Sequence, residues 1–322
     1  MHKVEAWLQR TPYAQWNIAV AGEDAGFRRY FRVQKGNESR IVMDASLEKE
    51  SLGPFLDVTG RLHARGVRAP KVFLKDREAG FLVLEDFGTR LLLDVLDEKS
   101  FETLYEQAME EIVRMQRADV EGLPPYDKAF LHLEMDLMKT WFLQKYLGWT
   151  LSEKETAMLE KVLDTISETV LQQPQGVFVH RDFHSRNIMV TEEGDMGVID
   201  YQDAMNGAVT YDLVSLLKDL YIRFEPERIA ALALRFRDRA GIDADDETFL
   251  KWFDFMGLQR HIKVLGIFCR LWLRDGKPGY LGDLPLTLRY TLEAAARYEQ
   301  TRPLAELLGQ IVLPETPSPK EG

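Results

Sequence analysis

"VHRDFHSRNIMV", residues 179–190, places an aspartate and an asparagine five positions apart between two apolar runs. A loop so rich in polar side chains is costly to bury as ordinary core. Its charged, imidazole and amide members are His180, Arg181, Asp182, His184, Arg186 and Asn187. Further along, a short hairpin leads to Asp200, which ends an apolar strand. The spacing H-R-D-x-x-x-x-N, followed by a hairpin and an aspartate, therefore calls for a chemical explanation.

Phosphoryl transfer gives a reason for each part of this pattern. A Mg²⁺ ion that bridges nucleotide phosphates prefers hard oxygen ligands, which Asn187 and Asp200 offer as an amide oxygen and a carboxylate. The acceptor hydroxyl needs a carboxylate to orient it and take its proton, and Asp182 is placed for that role. Two carboxylates facing a polyphosphate would repel it without a cation between them. We therefore expect Mg²⁺ to be obligatory. The alternative is a loop of Asp and Asn residues that only cap backbone groups.

Composition limits the possible partners. The chain has 322 residues, 45% of them hydrophobic, and a net charge of −11. Such an acidic balance disfavours non-specific nucleic-acid binding but not a small nucleotide ligand, so we expect ATP and no nucleic acid. The single cysteine, Cys269, lies in an apolar run and is expected to be a buried thiol in a reducing cytoplasm. No apolar run is long enough for a signal peptide or a membrane span. We expect a cytoplasmic protein with no membrane association, and the sequence indicates no obligate protein partner.

The first part of the chain is rich in strand signals. Residues 17–45 predict strands, residues 53–65 predict a helix that ends at Gly66, and residues 71–88 predict a second strand pair. Residues 1–88 are therefore expected to form a small β-rich, nucleotide-binding lobe.

Helical periodicity dominates after Thr89. Ser152 and Glu155 have capping-box spacing at the start of one helix, and residues 133–147 predict another with Leu133, Leu137 and Trp141 on its apolar stripe. One small sheet is expected from three short strands, at 177–179, 188–190 and 196–199. The predicted fold class is α+β, with a large, mainly helical lobe over residues 89–313 and a disordered tail at 314–322.

The motifs resemble a known family of small-molecule kinases. "FVHRDFHSRNIMV…GVIDYQD", preceded by "AGFRRYFRV" and "LVLEDFG" and followed by "YDLVSLL", is similar to the aminoglycoside phosphotransferase and choline kinase group. Within that group the chain most resembles the cytosolic anomeric kinases of N-acetylmuramate and N-acetylglucosamine. The resemblance implies a two-lobed, protein-kinase-like fold. It also implies ATP-dependent formation of sugar 1-phosphates, as in peptidoglycan recycling.

The same resemblance implies roles for individual residues. Asp182 corresponds to the catalytic base, and Asn187 and Asp200 correspond to the magnesium ligands. "LEDFG" is similar to the hinge between lobes, with backbone groups of Glu85 and Phe87 near the adenine. An ordinary turn after a strand is the alternative for that stretch. Asp212, in "YDLVSLL", would support the catalytic loop, although it could instead cap the following helix.

One departure from the family pattern concerns the phosphate-binding cation. Met43 and Asp44 stand where many kinases carry a lysine on the third strand. The candidates to replace it are Arg28, Arg29 and Arg32, next to the expected phosphate-covering turn "AGEDAGF". Alternation puts Arg28 and Arg32 on one face of the strand and Arg29 on the other, with Phe31 and Val33. Each could also be a solvated surface arginine.

The acceptor side is less defined. His184 and Asp203 flank the predicted catalytic carboxylates and are candidates to contact sugar hydroxyls, or else have structural roles. Arg260 and Lys263 lie among apolar residues on a predicted helix. Such cations usually point to solvent, but one turned inward could pair with the lactyl carboxylate of N-acetylmuramate.

Three other functions compete with the amino-sugar kinase. A kinase of another small alcohol, such as an aminoglycoside, would need an acidic acceptor cleft. A non-catalytic nucleotide-binding module is motivated by the missing lysine, although Asp182, Asn187 and Asp200 are all retained. A protein kinase is disfavoured because only about ten residues separate Asp200 from "YDLVSLL", which leaves little room for an activation segment.

Overall fold

The computed structural model describes residues 2–23 and 28–314. The chain forms two compact units: Met1–Val95 together with Arg186–Ala204, and Leu96–Ser185 together with Met205–Gly322. The sequence predicted that the first unit would end at residue 88, whereas it extends to Val95. It also includes residues 186–204, which the sequence assigned to the helical lobe. The expected disordered tail lies outside the described residues except for Pro314, as do residues 24–27 of the "AGEDAGF" turn.

A five-stranded antiparallel sheet with strand order β1-β2-β3-β5-β4 dominates the first unit. Its strands are β1 (Asn17–Glu23), β2 (Arg29–Lys35), β3 (Glu38–Asp44), β4 (Val72–Asp76) and β5 (Phe81–Glu85). Its helices are α1 (His2–Leu8), α2 (Leu52–His63) and α3 (Leu92–Val95), with a 3₁₀ turn at Lys49–Ser51. The strands predicted from residues 17–45 and 71–88 are present, and Gly66 follows α2 with a φ of 71°. The β-rich character expected of this part is confirmed.

Side-chain alternation gives the sheet two distinct faces. Phe31, Val33 and Val42 are buried in one apolar cluster with residues of α1. Tyr30 and Arg32 alternate with them along β2 and therefore point to the opposite face. This opposite face is the one that Arg28 was predicted to share.

A hairpin from the middle of the chain completes the first unit. It consists of β7 (Ile188–Val190) and β8 (Met196–Val198). The backbone N–H of Val198 donates to Arg68 O at 2.9 Å, and that of Val190 donates to Arg90 O at 2.9 Å. The hairpin is thus hydrogen-bonded to the segment before β4 and to the segment after β5. It explains why residues 186–204 belong with the N-terminal sheet.

The prediction of one small sheet for the three short strands was wrong. The strands form two separate pairs, because β6 (Val177–Val179) pairs with β9 (Met205–Gly207), whereas β7 pairs with β8. Strand β9 reads only Met-Asn-Gly, which is too short to show an alternating pattern and contains two residues depleted in strands.

Helices make up most of the second unit. They are α4 (Phe101–Met115), α5 (Lys128–Leu137), α6 (Glu153–Gln172), α7 (Tyr211–Leu217), α8 (Pro226–Ala240), α9 (Asp246–Leu273), α10 (Leu284–Arg297) and α11 (Arg302–Leu308). A π-helix, Met138–Tyr146, continues α5, and a 3₁₀ helix, Pro278–Asp283, precedes α10. The predicted capping box is present at the start of α6, where Ser152 and Glu155 exchange hydrogen bonds. The expected α+β class, with a mainly helical second part, is confirmed.

The apolar stripe predicted for residues 133–147 was wrong. Leu133 is 64% exposed, and the buried face of α5 instead carries Leu131, Glu134 and Met135. The π-helix then widens the helical turn, so that Met138 and Phe142 continue this face. A charged residue, Glu134, therefore lies among the buried positions.

Two predictions about the apolar character of the chain can be compared with the structure. Cys269 is fully buried, and burial raises the pKa of its thiol to about 12, so the prediction of a buried thiol is confirmed. No helix within residues 2–23 and 28–314 has the length and apolarity that crossing a membrane requires.

Gly266 is expected to be a critical packing position in the helical unit. A Cβ there would collide with the backbone of Leu137 and Met138, so Gly266→Ala should lower the free energy of unfolding by about 3 kcal/mol. Gly60→Ala in α2 is the matched control, since its Cβ would meet no atom within 4 Å. The control should raise stability by about 0.5–1 kcal/mol. Urea unfolding measures both, and equal stabilities would contradict the close α9 packing.

Candidate active site

Asn187 and Asp200 lie at the same end of the β7–β8 hairpin. Asn187 directly precedes β7, Asp200 follows β8, and the backbone N–H of Ile199 donates to Asn187 O at 3.1 Å. The Asn187 amide Nδ2 is 3.4 Å from Asp200 Oδ2. Asp200 has a φ of 64°, a left-handed conformation that costs energy in a non-glycine residue. Strained residues of this kind concentrate at functional sites.

Three hydrogen-bond donors converge on the Asp200 carboxylate. Besides Asn187, Gln202 Nε2 donates to Asp200 Oδ1 at 3.0 Å, and Arg28 Nη2 is 3.5 Å from the same oxygen. These donors partly compensate the negative charge of the carboxylate. Asp200 and the amide oxygen of Asn187 are hard oxygen donors, which suit Mg²⁺ when phosphate and water supply the remaining ligands. The described part of the chain holds no cluster of three His, Cys, Asp or Glu side chains that could bind a metal without such help.

The three candidate arginines have different partners. Arg28 is buried beside Asp200, whereas Arg29 Nη2 donates to Asp44 Oδ2 at 2.8 Å. Burial alone would raise the pKa of Asp44, but hydrogen bonds from Ser46 and Arg29 outweigh it and hold the pKa below its usual value. Asp44 stands near the position of the missing strand lysine. Its negative charge is neutralised by Arg29.

Arg32 binds the segment that follows β5. Its Nε and Nη2 donate to the two Asp86 oxygens at 2.6 and 2.9 Å, and Nη2 also donates to Gly88 O at 2.7 Å. A two-pronged arginine–carboxylate pair of this kind fixes geometry as well as charge. Arg32 therefore holds the predicted hinge and is not near Asp200 in its described contacts.

Glu85 and Phe87 are also held by side-chain contacts. Glu85 Oε2 accepts from the Lys71 backbone N–H at 3.2 Å, and Glu85 Oε1 is 3.6 Å from Arg68 Nη2. The buried Phe87 ring covers Gly197 of β8 so closely that a Cβ there would meet it at 2.5 Å. Side-chain contacts thus hold the backbone of this segment in place.

Asp182 belongs to the helical unit and faces several cations. Its side chain is 45% exposed, and Arg260 Nη1 is 3.5 Å from Asp182 Oδ1. Partial burial would raise the pKa of Asp182, but the charges of Lys263, Arg260 and Arg181 hold that pKa well below its usual range. The carboxylate is therefore ionised at neutral pH and can accept a hydrogen bond.

Several hydrogen bonds fix the backbone before Asp182. Arg181 has a φ of 79°, and the Asp212 carboxylate accepts the N–H groups of His180 at 2.8 Å and Arg181 at 3.0 Å. Ser215 Oγ donates to Arg181 O at 3.3 Å. Burial raises the pKa of Asp212 to about 6. Asp212 lies in the first turn of α7 and supports the loop that carries Asp182, as the resemblance implied.

The predicted sugar contacts are divided between the units. In the helical unit, the His184 ring packs edge-on against Tyr221 with centroids 5.3 Å apart, and burial lowers its pKa, so it is neutral at pH 7. Lys263 Nζ donates to Tyr211 OH at 2.8 Å and lies 3.2 Å from Glu134 Oε1. In the first unit, Asp203 is exposed and accepts from Gln202 at 3.2 Å.

Sequence reasoning missed three site residues. Gln202 joins Asp200 to Asp203, Asp219 accepts the Ser185 N–H at 2.9 Å, and Glu134 binds Arg181 and Lys263. A signal for Glu134 was present, since it shares helical spacing with the apolar residues Leu131 and Met135. An acidic residue on a buried face indicates a paired charge.

The Arg260–Asp182 contact predicts a pH effect. Arg260→Met removes a cation that stabilises ionised Asp182, so the pKa of Asp182 should rise. The Asp182 carboxyl should then titrate at a higher pH than in the wild type, which carbon-13 NMR of the aspartate carboxyl groups would show. Arg274→Met, at the exposed end of the same helix, is the control and should leave this titration unchanged. An unchanged titration in Arg260→Met would show that Arg260 does not affect the ionisation of Asp182.

The chain is similar to proteins of known function. The model of the phosphotransferase enzyme family matches residues 17–249. The chain belongs to the phosphotransferase enzyme family. An N-acetylmuramate/N-acetylglucosamine kinase from Pseudomonas aeruginosa is 42% identical over 95% of this chain and 91% of its own length. A protein of the same name from Neisseria meningitidis serogroup B is 40% identical, with 96% and 95% covered.

Solved structures of phosphotransferases share the fold. ADP-bound aminoglycoside phosphotransferase APH(2'')-Ib aligns with a TM-score of 0.62 at 15% identity, covering 91% of this chain and 98% of that one. A choline kinase from Streptococcus pneumoniae gives 0.63 at 12% identity, covering 90% and 98%. The expected protein-kinase-like fold is confirmed. This phosphotransferase is an enzyme that uses a nucleotide and a small-molecule acceptor.

Proposed function

We propose that this phosphotransferase uses ATP to phosphorylate the anomeric hydroxyl of N-acetylmuramate and N-acetylglucosamine. The products would be sugar 1-phosphates, which suit nucleotide-sugar synthesis in peptidoglycan recycling. The observation that carries the proposal is the 42% and 40% identity to kinases named for these two sugars, over more than nine-tenths of each chain. We further propose that it acts in the cytoplasm, where ATP is supplied.

We propose that Asn187 Oδ1 and the Asp200 carboxylate hold Mg²⁺ beside the nucleotide phosphates. Their adjacency at one end of the hairpin supports this assignment. Bound there, Mg²⁺ would neutralise charge on the phosphates. The hinge backbone at Glu85 and Phe87 is the proposed adenine contact, supported by the bonds that fix the hinge.

Arg28 is the proposed replacement for the strand lysine. It is buried and lies 3.5 Å from Asp200, next to the proposed metal ligands, whereas Arg29 and Arg32 neutralise Asp44 and Asp86. A cation at this position can hold phosphate oxygens near the metal.

The arginines can be separated by single substitutions. Arg28→Met should raise the KM for ATP about 10-fold, because it removes one charge-assisted phosphate contact. Arg29→Met is the control on the neighbouring residue, where the arginine pairs with Asp44 instead, and should change the KM less than about twofold. Steady-state kinetics with varied ATP provide the measurement. The assignment fails if Arg29→Met weakens ATP use more than Arg28→Met does.

Asp182 is the proposed catalytic base. Its low pKa makes it a weak base in the ground state, so its carboxylate would first orient the acceptor hydroxyl as a hydrogen-bond acceptor. It would take the proton late, as the bond from the hydroxyl oxygen to the γ-phosphorus forms, the bond from that phosphorus to the oxygen of the departing ADP breaks, and the hydroxyl oxygen becomes acidic.

The proposed sugar contacts are not equally supported. Arg260 lies beside Asp182 and is the better candidate for the lactyl carboxylate, because Lys263 is already neutralised by Glu134. His184 remains a candidate for a sugar hydroxyl, since its Nδ1 has no hydrogen-bond partner within the described chain. Asp203 is a candidate because its carboxylate is exposed.

The cations around Asp182 argue against a polycationic acceptor. Arg181, Arg260 and Lys263 all lower the pKa of Asp182, so positive charges of the protein already compensate the Asp182 carboxylate. An aminoglycoside would therefore gain little from pairing with Asp182, whereas a neutral or anionic sugar needs no such pairing. The retained Asp182, Asn187 and Asp200 argue against the non-catalytic alternative.

A substrate panel tests the function. We would incubate the protein with Mg-ATP and each of N-acetylmuramate, N-acetylglucosamine and several aminoglycosides, and follow ADP release. Phosphorus NMR of the product would identify the phosphorylated hydroxyl by its coupling to the anomeric proton. The proposal expects turnover with both amino sugars and a 1-phosphate product. Turnover with aminoglycosides alone, or phosphate on another hydroxyl, would contradict it.

A further inference from the structure

Glu134 occupies the centre of a buried polar cluster in the helical unit. It lies on α5 and is 6% exposed. Its Oε1 accepts from Arg181 Nη2 at 2.8 Å and lies 3.2 Å from Lys263 Nζ. Its Oε2 accepts from Gln259 Nε2 at 3.1 Å and from the hydroxyl of Tyr126. Both oxygens of this buried carboxylate are therefore fully engaged.

Arg181 is the partner that connects this cluster to the reaction. It directly precedes Asp182 and has a φ of 79°. Asp212 binds its backbone N–H at 3.0 Å, and Arg260 Nη1 donates to its carbonyl oxygen at 3.3 Å. These bonds fix its backbone, and the bond to Glu134 fixes its side chain.

The guanidinium of Arg181 has two carboxylates within electrostatic range, Glu134 and Asp182. Of these two, Glu134 accepts a short hydrogen bond from Arg181 Nη2, at 2.8 Å. If Arg181 turned to Asp182, it would occupy oxygens that the acceptor hydroxyl needs. An arginine in the left-handed region is also strained, and a strained backbone persists only when its surroundings hold it.

We infer that Glu134 is a positioning residue, which holds the Arg181 side chain away from Asp182 and thereby keeps the Asp182 carboxylate oriented toward the acceptor. This inference rests on the proposed role of Asp182 as the base. Glu134 touches neither substrate nor nucleotide in this account and acts through Arg181.

The test compares kcat and KM for wild type and five variants with Mg-ATP and N-acetylglucosamine. Glu134→Gln keeps the shape but loses the charge that binds Arg181. We expect kcat to fall about 30-fold, because a misplaced catalytic group costs up to about 100-fold, with the KM for ATP within about twofold of wild type. Tyr126→Phe is the matched control, since it removes a hydrogen bond from the same carboxylate and leaves the Arg181 contact. It should keep kcat within about twofold.

A double-mutant cycle identifies the route of the effect. If Glu134 acts through Arg181, then Glu134→Gln combined with Arg181→Met should lose no more activity than the worse single variant. Losses that multiply would overturn the inference. So would a wild-type kcat for Glu134→Gln, or a loss that matches its folded fraction, measured by thermal unfolding. Asp182→Ala separates the two proposals: if it stays fully active, the proposed base is wrong and the inference falls with it. If Asp182→Ala is inactive while Glu134→Gln is normal, only the inference fails.

Discussion

Asp182→Ala is expected to lower kcat by about 10³-fold, with the KM for ATP changed less than about threefold. The reason is that the variant loses the group that orients the acceptor hydroxyl and takes its proton. The cations near Asp182 remain and cannot replace it, because none of them accepts a proton in its charged form. Nucleotide affinity should persist, since the proposed phosphate and metal contacts come from Arg28, Asn187 and Asp200.

Initial rates at saturating Mg-ATP and sugar measure this effect. Asp243→Ala, an exposed aspartate in the same helical unit, is the control for loss of a carboxylate and should have wild-type rates. Thermal unfolding confirms that each variant is folded. A loss of less than about 10-fold would show that another group serves as the base, since general-base catalysis contributes about 10²–10⁴-fold.

Asp200→Asn is expected to lower kcat/KM for ATP by about 10²–10³-fold and to raise the Mg²⁺ concentration needed for half-maximal rate. The substitution removes the negative charge but preserves the side-chain shape. Asparagine also tolerates the left-handed φ of 64° found at this position. The effect therefore reports the loss of a metal ligand and not a change in backbone conformation.

The matched control is Asp195→Asn in the turn of the same hairpin. Asp195 is 64% exposed and pairs with Arg68 at 2.6 Å, so its loss should change rates less than about twofold. Calorimetric titration with ATP, with and without Mg²⁺, gives a readout that needs no turnover. If Asp200→Asn binds Mg-ATP as tightly as wild type and responds to Mg²⁺ identically, Asp200 is not a metal ligand.

Sequence reasoning succeeded where chemistry is local. The spacing of Asp182, Asn187 and Asp200 indicated the phosphotransferase family because each position has a distinct chemical demand. The capping box of Ser152 and Glu155 predicted a helix start because both hydrogen bonds form within one turn.

Sequence reasoning failed where hydrogen-bond and ion-pair partners are distant from each other in the chain. The β7–β8 hairpin belongs to the first unit because of backbone bonds to Arg68 and Arg90, and no local pattern reports such bonds. Alternation separated Arg29 from Arg32 along β2, but it could not tell that Arg32 would meet Asp86 while Arg28 would meet Asp200.

Glu134 illustrates a third kind of error. Leu133, Leu137 and Trp141 have the spacing of a helical stripe, but the face of α5 that is buried lies next to that stripe. A rule based on hydrophobicity alone would leave Glu134 on the surface. In the fold, its partners Arg181 and Lys263 compensate the cost of burying its charge. Such networks depend on elements that only the folded chain brings together.

The most direct measurement of the central claim is a crystal structure with Mn²⁺ and a non-hydrolysable ATP analogue. Manganese replaces magnesium and gives an anomalous signal that locates the ion. The account predicts an anomalous peak in contact with Asn187 Oδ1 and an Asp200 oxygen, with the phosphates beside Arg28. A nucleotide bound at another site, or a manganese peak without a ligand from Asn187 or Asp200, would contradict it.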